Sequence, residues 1–289
     1  MIGWLLKYKE PFFICNPGNA GDAAIASASA QLFRKISYDI KQSTAEKITA
    51  GSNIIIGGGG NFIEDYSDVK LILEKCLEKN VNQCVLLPHT IRRQEETLAA
   101  LDNRFTLMCR DLSSYFHVCK FAPRATALLA RDIVLDLNIQ ELEARVCGLR
   151  HRVSLCFDTR WLKKVIRWKR ALKRIQPDPT GTLTIFRSDG ESAFSPPADR
   201  RFDLMAHYGV SKYGAGCDQV TMDIVRLLRT SSRVVTDRLH VSLLAATAGV
   251  MVCIVDNNYG KNYAVWDLAL NAENSNTFQG NFGGYDSEF

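Results

Sequence analysis

Several common signatures are missing from this chain. It holds nine cysteines in 289 residues, yet no CxxC pair occurs, and its five histidines do not fall at zinc-ligand spacings. The cysteine count is odd and the spacings are irregular. Cys84, Cys109 and Cys253 sit inside apolar runs, where cysteine behaves as a small hydrophobe. These features argue against a disulfide framework and a structural metal, and they lead us to expect a reducing cytoplasm. No apolar run reaches the roughly 18 to 20 residues that span a bilayer. The longest, Val241 to Val255, is broken by Gly249 and reads as a buried helix, a glycine turn and a buried strand. The stretch "MIGWLLKYKEPFF" has neither a long apolar core nor a small-residue cleavage site, so no secretory leader is expected. P-loop and dinucleotide-fingerprint spacings are also absent.

Charge is unevenly placed. Residues 160 to 174, "RWLKKVIRWKRALKR", carry eight Lys/Arg and no acid; removing those eight from the net charge of +5 leaves −3 for the rest. A mildly acidic protein with one basic segment is not a general nucleic-acid binder. Trp161, Val165, Trp168, Leu172 and Ile175 recur at spacings of four, three, four and three, which puts them on one helical face. Two readings follow: a basic amphipathic helix that touches a membrane surface through 160–175, and a core-packing helix with a solvated cationic face.

With 46% apolar and 23% charged residues, the chain can build a full core in one large domain or two. Its first half alternates apolar runs ("FFIC" 12–15, "NIIIGG" 53–58, "CVLLP" 84–88, "FTLMC" 105–109, "DIVLDL" 132–137) with helical stretches near 22–35, 67–79, 92–101 and 111–119. The second half does the same, with strands expected at 153–157, 183–187, 233–237 and 250–256 and helices at 218–231 and 238–249. Runs that are apolar throughout belong to strands covered on both faces, so the expectation is α/β with mostly parallel sheets. The simplest architecture has two Rossmann-like halves, 1–148 and 149–289, facing across a cleft. A single large α/β sheet is the alternative.

Ligands of open α/β sheets lie beyond the carboxyl ends of the strands. Four segments occupy such places: Gly18 to Asp22, Gly57 to Asn61, "RDLSS" at 110–114, and Asp237 to His240. Each has a structural reading. Gly18 and Gly21 can make a tight turn with Asp22 as a helix cap, and the glycine run can let strand and helix pack closely. Arg110-Asp111 can be a surface ion pair and Asp237-Arg238 a structural one. Arg238 and His240 border apolar segments, where an unpaired charge is costly.

Together, and in order, these segments resemble the polysaccharide pyruvyl transferase family. Its GNxGD-like loop is matched by Gly18, Asn19, Gly21 and Asp22, and its Gly-rich turn by Gly58 to Asn61. "LLPHTI", with His89 in place of the usual Gln, Arg110-Asp111-Leu112-Ser113, Thr236 to His240 and "DNNYGK" follow. The resemblance covers roughly residues 14 to 262, and no motif falls in 138–215. It implies a GT-B-like cleft and transfer of pyruvate from phosphoenolpyruvate to two hydroxyls of a sugar in an exopolysaccharide or capsule precursor. A cyclic ketal forms and phosphate leaves, with no metal, nucleotide or flavin cofactor. The implied donor site is Arg110, Arg238, the backbone of Leu239, and His240, with His240 as acid/base. Asp22 is a second candidate for proton transfer. Asn19, Gly21, Gly59, Gly60 and Asn61 fall on the acceptor side. A lipid-linked oligosaccharide at the inner face of the membrane is an acceptor compatible with that chemistry. A nucleotide-sugar-dependent glycosyltransferase of the GT-B type is the rival reading, with Arg238 on a diphosphate; a scaffold subunit is the non-enzymatic one.

Overall fold

Four of the five apolar runs of the first half line up in one parallel sheet in the structure, a computed structural model that describes residues 10–37, 40–156, 159–193, 202–210 and 212–273. Its strands are β1 (Phe12–Ile14), β2 (Lys41–Gln42), β3 (Asn53–Ile56), β4 (Gly59–Phe62), β5 (Gln83–Ile91), β6 (Phe105–Cys109) and β7 (Thr126–Leu129). They run in the order β2-β1-β3-β5-β6-β7, with β4 paired to the end of β5. A second parallel sheet joins β8 (Thr182–Ile185), β9 (Arg233–Thr236) and β10 (Met251–Ile254), with β9 in the middle. Parallel strands need crossover connections, and helices supply them. Those of the first half are α1 (Ala20–Lys35), α2 (Asp68–Glu78), α3 (Glu95–Ala100) and α4 (Leu112–Phe121). Between the sheets run α5 (Ile139–Cys147), α6 (Leu149–Cys156) and α7 (Thr159–Leu172). The second half adds α8 (Ala215–Leu228), α9 (Leu239–Thr247) and α10 (Lys261–Glu273). The architecture is α/β with parallel sheets.

Successive side chains of a strand point to opposite faces, and β3 shows the consequence. Ile54 and Ile56 enter a core under α2 and α4, with Leu73, Leu86, Phe105 and Val118. Ile55 enters a second core with Val85 and Met108 of the same sheet, Leu183, Ile185 and Val234 of the other, and Val220 and Ile224 of α8. Helix α1 makes that second core continuous. Nine of the sixteen residues in its sequence, AGDAAIASASAQLFRK, are Ala, Gly or Ser, and thirteen are buried. Small side chains let α8 approach closely, to Ser27 Oγ 3.4 Å from Thr221 Oγ1.

Some expectations need correction. "DIVLDL" is not a strand: Ile133–Asp136 form a 3₁₀ turn, because the Asp132 Oδ1 accepts from the Val134 N–H at 3.0 Å and Thr126–Leu129 already fill the place beside β6. "VSLCF" is not a strand either; 153–156 belong to α6, and Phe157 lies outside the described residues. Strands β2, β4 and β7 and helices α5, α6 and α10 were not anticipated. In α7 the apolar face turns inward: Trp168 is fully buried, packs edge-on against Tyr208 at 6.2 Å, and donates from Nε1 to Asp223 at 3.1 Å. Trp168 is therefore a core residue and not a membrane anchor; the side chain of Trp161 lies outside the described residues. Among the described residues no helix is long and apolar enough to cross a membrane. The eight cysteines whose side chains are described are free thiols.

Candidate functional site

The carboxyl ends of the strands from both sheets meet around one cavity of about 220 Å³. That is below the about 300–1,000 Å³ typical of sites for drug-sized ligands, and it suits a small, highly charged molecule. The first half contributes Gly18, Asn19, Gly21, Asp22, Gly60, Asn61 and Arg110. The second contributes Arg238, Leu239 and His240, as expected, and also Arg187, Asp189, Glu191 and Lys261.

The 16–22 loop is shaped by a capping box. The Asn19 Oδ1 accepts from the Gly21 N–H and the Asp22 Oδ2 from the Asn19 N–H, both at 2.7 Å. Asn19, not Asp22, is thus the cap of α1, and Asp22 closes the box from the first turn. Glycine is required here for space. A Cβ on Gly18 would stand 1.9 Å from the Asp22 Oδ2, and one on Gly21 would stand 2.5 Å from the His240 Nδ1. Burial pushes the Asp22 carboxyl up, against the pull of His240 and Arg110.

Gly60 has a comparable role, since a Cβ there would stand 2.6 Å from the Arg110 Nη2. Gly59 does not line the cavity. A Cβ on it would stand 2.3 Å from the Asn16 Nδ2, so it serves the framework. That framework is a pair of amides, Asn16 and Asn61, joined by reciprocal bonds of 2.8 and 3.0 Å. His89 sits behind them, its Nε2 accepting from the Asn61 N–H at 3.2 Å. Burial, with Arg110 nearby, holds the His89 pKa well below the ordinary histidine value, so its ring is neutral.

Arg110 and Asp111 are both buried, and they do not form a surface ion pair. Asp111 caps α4 through the Ser114 N–H at 2.7 Å, while Ser113 is exposed. Arg110 donates from Nε to the Thr90 Oγ1 at 3.0 Å and from Nη1 to the Asp132 Oδ2 at 2.6 Å. Its Nη1 also lies 3.2 Å from the His240 Nε2. A guanidinium can only donate, so a neutral His240 accepts there and carries its proton on Nδ1, beside Gly21. A charged ring instead has the Asp132 Oδ2 at 3.6 Å from Nε2. Burial acts to raise the Asp132 carboxyl, but Arg110 and His240 outweigh it and hold it well below the carboxylate range.

Arg238 is buried at the start of α9, a helix with no side-chain cap, and its Nε donates to the Asp203 Oδ1 at 3.1 Å. Its Nη2 donates to Asp203 and, at 2.9 Å, to the Asp189 Oδ2. Asp237 is not its partner: that carboxylate accepts from the Arg187 N–H at 2.7 Å. The Arg187 side chain grips Asp189 at 2.6 Å and Glu191 at 2.8 Å. The Glu191 Oε2 also accepts from the Lys261 Nζ at 2.5 Å and the Tyr259 hydroxyl at 3.0 Å. Burial would raise Glu191, yet Lys261 and Arg187 hold it well below its ordinary value. Burial lowers Lys261 to about 8 even though Glu191 pulls it up.

The structure therefore brings nine anticipated residues to one cavity: Asn19, Gly21, Asp22, Gly60, Asn61, Arg110, Arg238, Leu239 and His240. Asp132, Arg187, Asp189, Glu191 and Asp203 were missed. The signal for Arg187 was present, an arginine at the end of an anticipated strand, and Lys261 closes the quoted "DNNYGK". Among the described residues no group of three His, Cys, Asp or Glu is placed to hold a metal ion.

No family model and no curated protein matches the chain. Among solved structures it is similar to a functionally uncharacterized protein from Klebsiella pneumoniae subsp. pneumoniae. The two share 22% identity over 93% of this chain and 92% of the other, with a TM-score of 0.72. At that identity the likeness shows the fold alone.

Proposed function

We propose that the protein is a ketal pyruvyl transferase, moving pyruvate from phosphoenolpyruvate to two hydroxyls of a sugar in a polysaccharide precursor. We read the two sheets around the cavity as a GT-B-like pair. The supporting observation is the convergence of Arg110, Arg187, Arg238 and Lys261 on a cavity that also holds His240 and Asp22. A phosphate and a carboxylate on adjacent atoms of one small donor call for such a set.

In this reading Arg238 and the uncapped N-terminus of α9, with the Leu239 N–H, bind the phosphate. The Arg110 Nη2, which Gly60 leaves uncovered, faces the donor carboxylate. Carbon 3 takes a proton, carbon 2 becomes electrophilic, and a sugar hydroxyl attacks it and loses its proton. The carbon 2–oxygen bond to phosphate then breaks, phosphate leaves with a proton, and the second hydroxyl closes the ring as it loses its own. Two protons are given and two taken, which suits one group that cycles, His240 at Nδ1, and a second nearby, Asp22. Asp132 stands behind the ring to stabilise its charged form.

A thermal-shift titration with phosphoenolpyruvate tests this, on wild type and Arg238→Ala, with a nucleotide-sugar panel beside it. A saturable rise in Tm with phosphoenolpyruvate that disappears in the variant is the expected result; about 100 Kd of ligand corresponds to ~2.7 kcal/mol. A response to nucleotide sugars in its place would favour the glycosyltransferase reading.

A further inference from the structure

The basic segment has no part in the reaction above, and its surroundings give it a separate role. From Leu149 to Arg174 the chain carries ten Lys/Arg and one acid, Asp158, so this stretch contributes +9 and the remainder −4 to the net charge of +5. Within it, α7 and the turn that follows it are sorted by side. Trp168, Ala171 and Ile175 face the core. On the opposite side Ile166 is 45% exposed, with Arg170 and Lys173 four and seven residues further on and Arg167 and Arg174 flanking them, all exposed. Among the described residues, the acid that α7 meets in an ion pair is Asp223, and Lys169 takes it at 2.7 Å. Arg167, Arg170 and Lys173 enter no ion pair there. The preceding helix, α6, which packs against α7, exposes Leu149 (77%) and Val153 (46%) one turn apart on one face, next to the exposed Arg150.

Uncompensated cations alone would suit any polyanion. Exposed Leu, Val and Ile among them restrict the partner, because nucleic acid or a soluble polyanion gives their burial no reward. An anionic bilayer offers both phosphate charge for the cations and an acyl boundary for the apolar side chains. We propose that the outer face of α6 and α7 docks on an anionic membrane surface.

Helix α7 is tied to the cavity through one short segment. The Lys164 Nζ donates to the Gly209 carbonyl at 2.8 Å, and Tyr208 packs on Trp168. The neighbouring Val210 exchanges backbone bonds of 2.8 and 3.1 Å with Gly18 at the cavity. Asp203, which begins this segment, holds Arg238. A docked protein therefore keeps its cavity one segment away from the lipid-bound helix. The proposal does not depend on the reaction assigned to that cavity.

Co-sedimentation of the full chain with vesicles tests it, comparing pure phosphatidylcholine with mixtures containing a third phosphatidylglycerol. The expected result is partitioning to the anionic vesicles only, weakening with salt over the range in which the screening length shrinks. The charge-reversal pair Arg170→Glu and Lys173→Glu is expected to lower it at least tenfold, since each near-surface cation contributes several-fold. Leu149→Ser with Val153→Ser, both exposed and tolerant of change, is expected to lower it several-fold as well. An unchanged Tm in these variants separates docking from folding. Equal binding to both vesicle types, or none to either, overturns the proposal. So does retention on heparin that is as tight as on vesicles and indifferent to the Leu149 and Val153 changes, which would indicate a soluble polyanion.

Discussion

Every cation of the cleft is held by carboxylates of the protein itself: Arg110 by Asp132, Arg238 by Asp189 and Asp203, Arg187 by Asp189 and Glu191, Lys261 by Glu191. Removing one partner of a buried pair is costly because the other is left uncompensated. The cleft thus stores positive charge at fixed positions without bearing it as a net field. Lys261 is the exception that titrates near neutrality. Its ordinary value is 10.5, and burial brings it to about 8. Between those values the unfolded chain binds the extra proton, so stability rises with pH across that window. In the transferase we propose, donor binding would run in the opposite direction. Below about 8 the ammonium adds its charge to the cavity, and above it that charge is lost. Phosphoenolpyruvate affinity is therefore expected to weaken as pH rises from about 7 to about 9, and Lys261→Met should flatten the slope. Calorimetric titration across that range measures it; a slope that persists in Lys261→Met would assign the dependence to another group.

Among the elements, α7 makes the sharpest energetic claim. The Trp168 indole is fully buried and its N–H meets Asp223, which also takes Lys169 and Gln219. Trp168→Ala is expected to cost about 3–5 kcal/mol by urea denaturation. Trp168→Phe keeps most of the volume and leaves Asp223 two partners, so its cost should be nearer ~1 kcal/mol. A small loss in the alanine variant would mean that α7 is not part of the core. The spacing of Trp168 and Ile175 was legible as a helical face, but not which way it pointed, because a face of Trp, Val and Leu amid cations suits a core and a membrane equally well. Strands β3, β5 and β6 were legible for a simpler reason, since a short, almost wholly apolar run fits the interior of a parallel sheet. The same rule misled at "DIVLDL". There the carboxylate of Asp132 caps a turn, an effect that depends on where β7 has already closed the sheet edge. Strand β4 was hidden because Gly-Gly-Asn-Phe has no strand preference; close approaches to Asn16 and Arg110 select its glycines. The site followed the same pattern. Residues at strand ends, Arg110 and Arg238, could be picked out, whereas Glu191 and Asp203 sit in loops whose partners are distant in sequence.

In the whole molecule, the two sheets share one hydrophobic cluster, and α1 is the element that joins them. Its small residues lie against α8, and its first turn forms a wall of the cavity through Gly21 and Asp22. A cavity built this way cannot open as two independent lobes swinging on a linker, because separating the sheets would expose the face of α1 that lies against α8 and break the shared core. Apolar burial is worth about 25 cal/mol per Å², so even a partial opening is expensive. In the transferase we propose, selectivity then has to come from the fixed charges and the small volume, not from closure around the substrate. The thermodynamic consequence is a single cooperative unfolding transition, with calorimetric and van't Hoff enthalpies equal and with both sheets lost together. Enlarging the helix contact by Ser27→Leu should lower that one transition, by about 1–3 kcal/mol for an overpacked site, without splitting it. Two resolved transitions in scanning calorimetry, one of them insensitive to Ser27→Leu, would show that the halves fold apart, and the cleft would then be free to close by domain motion.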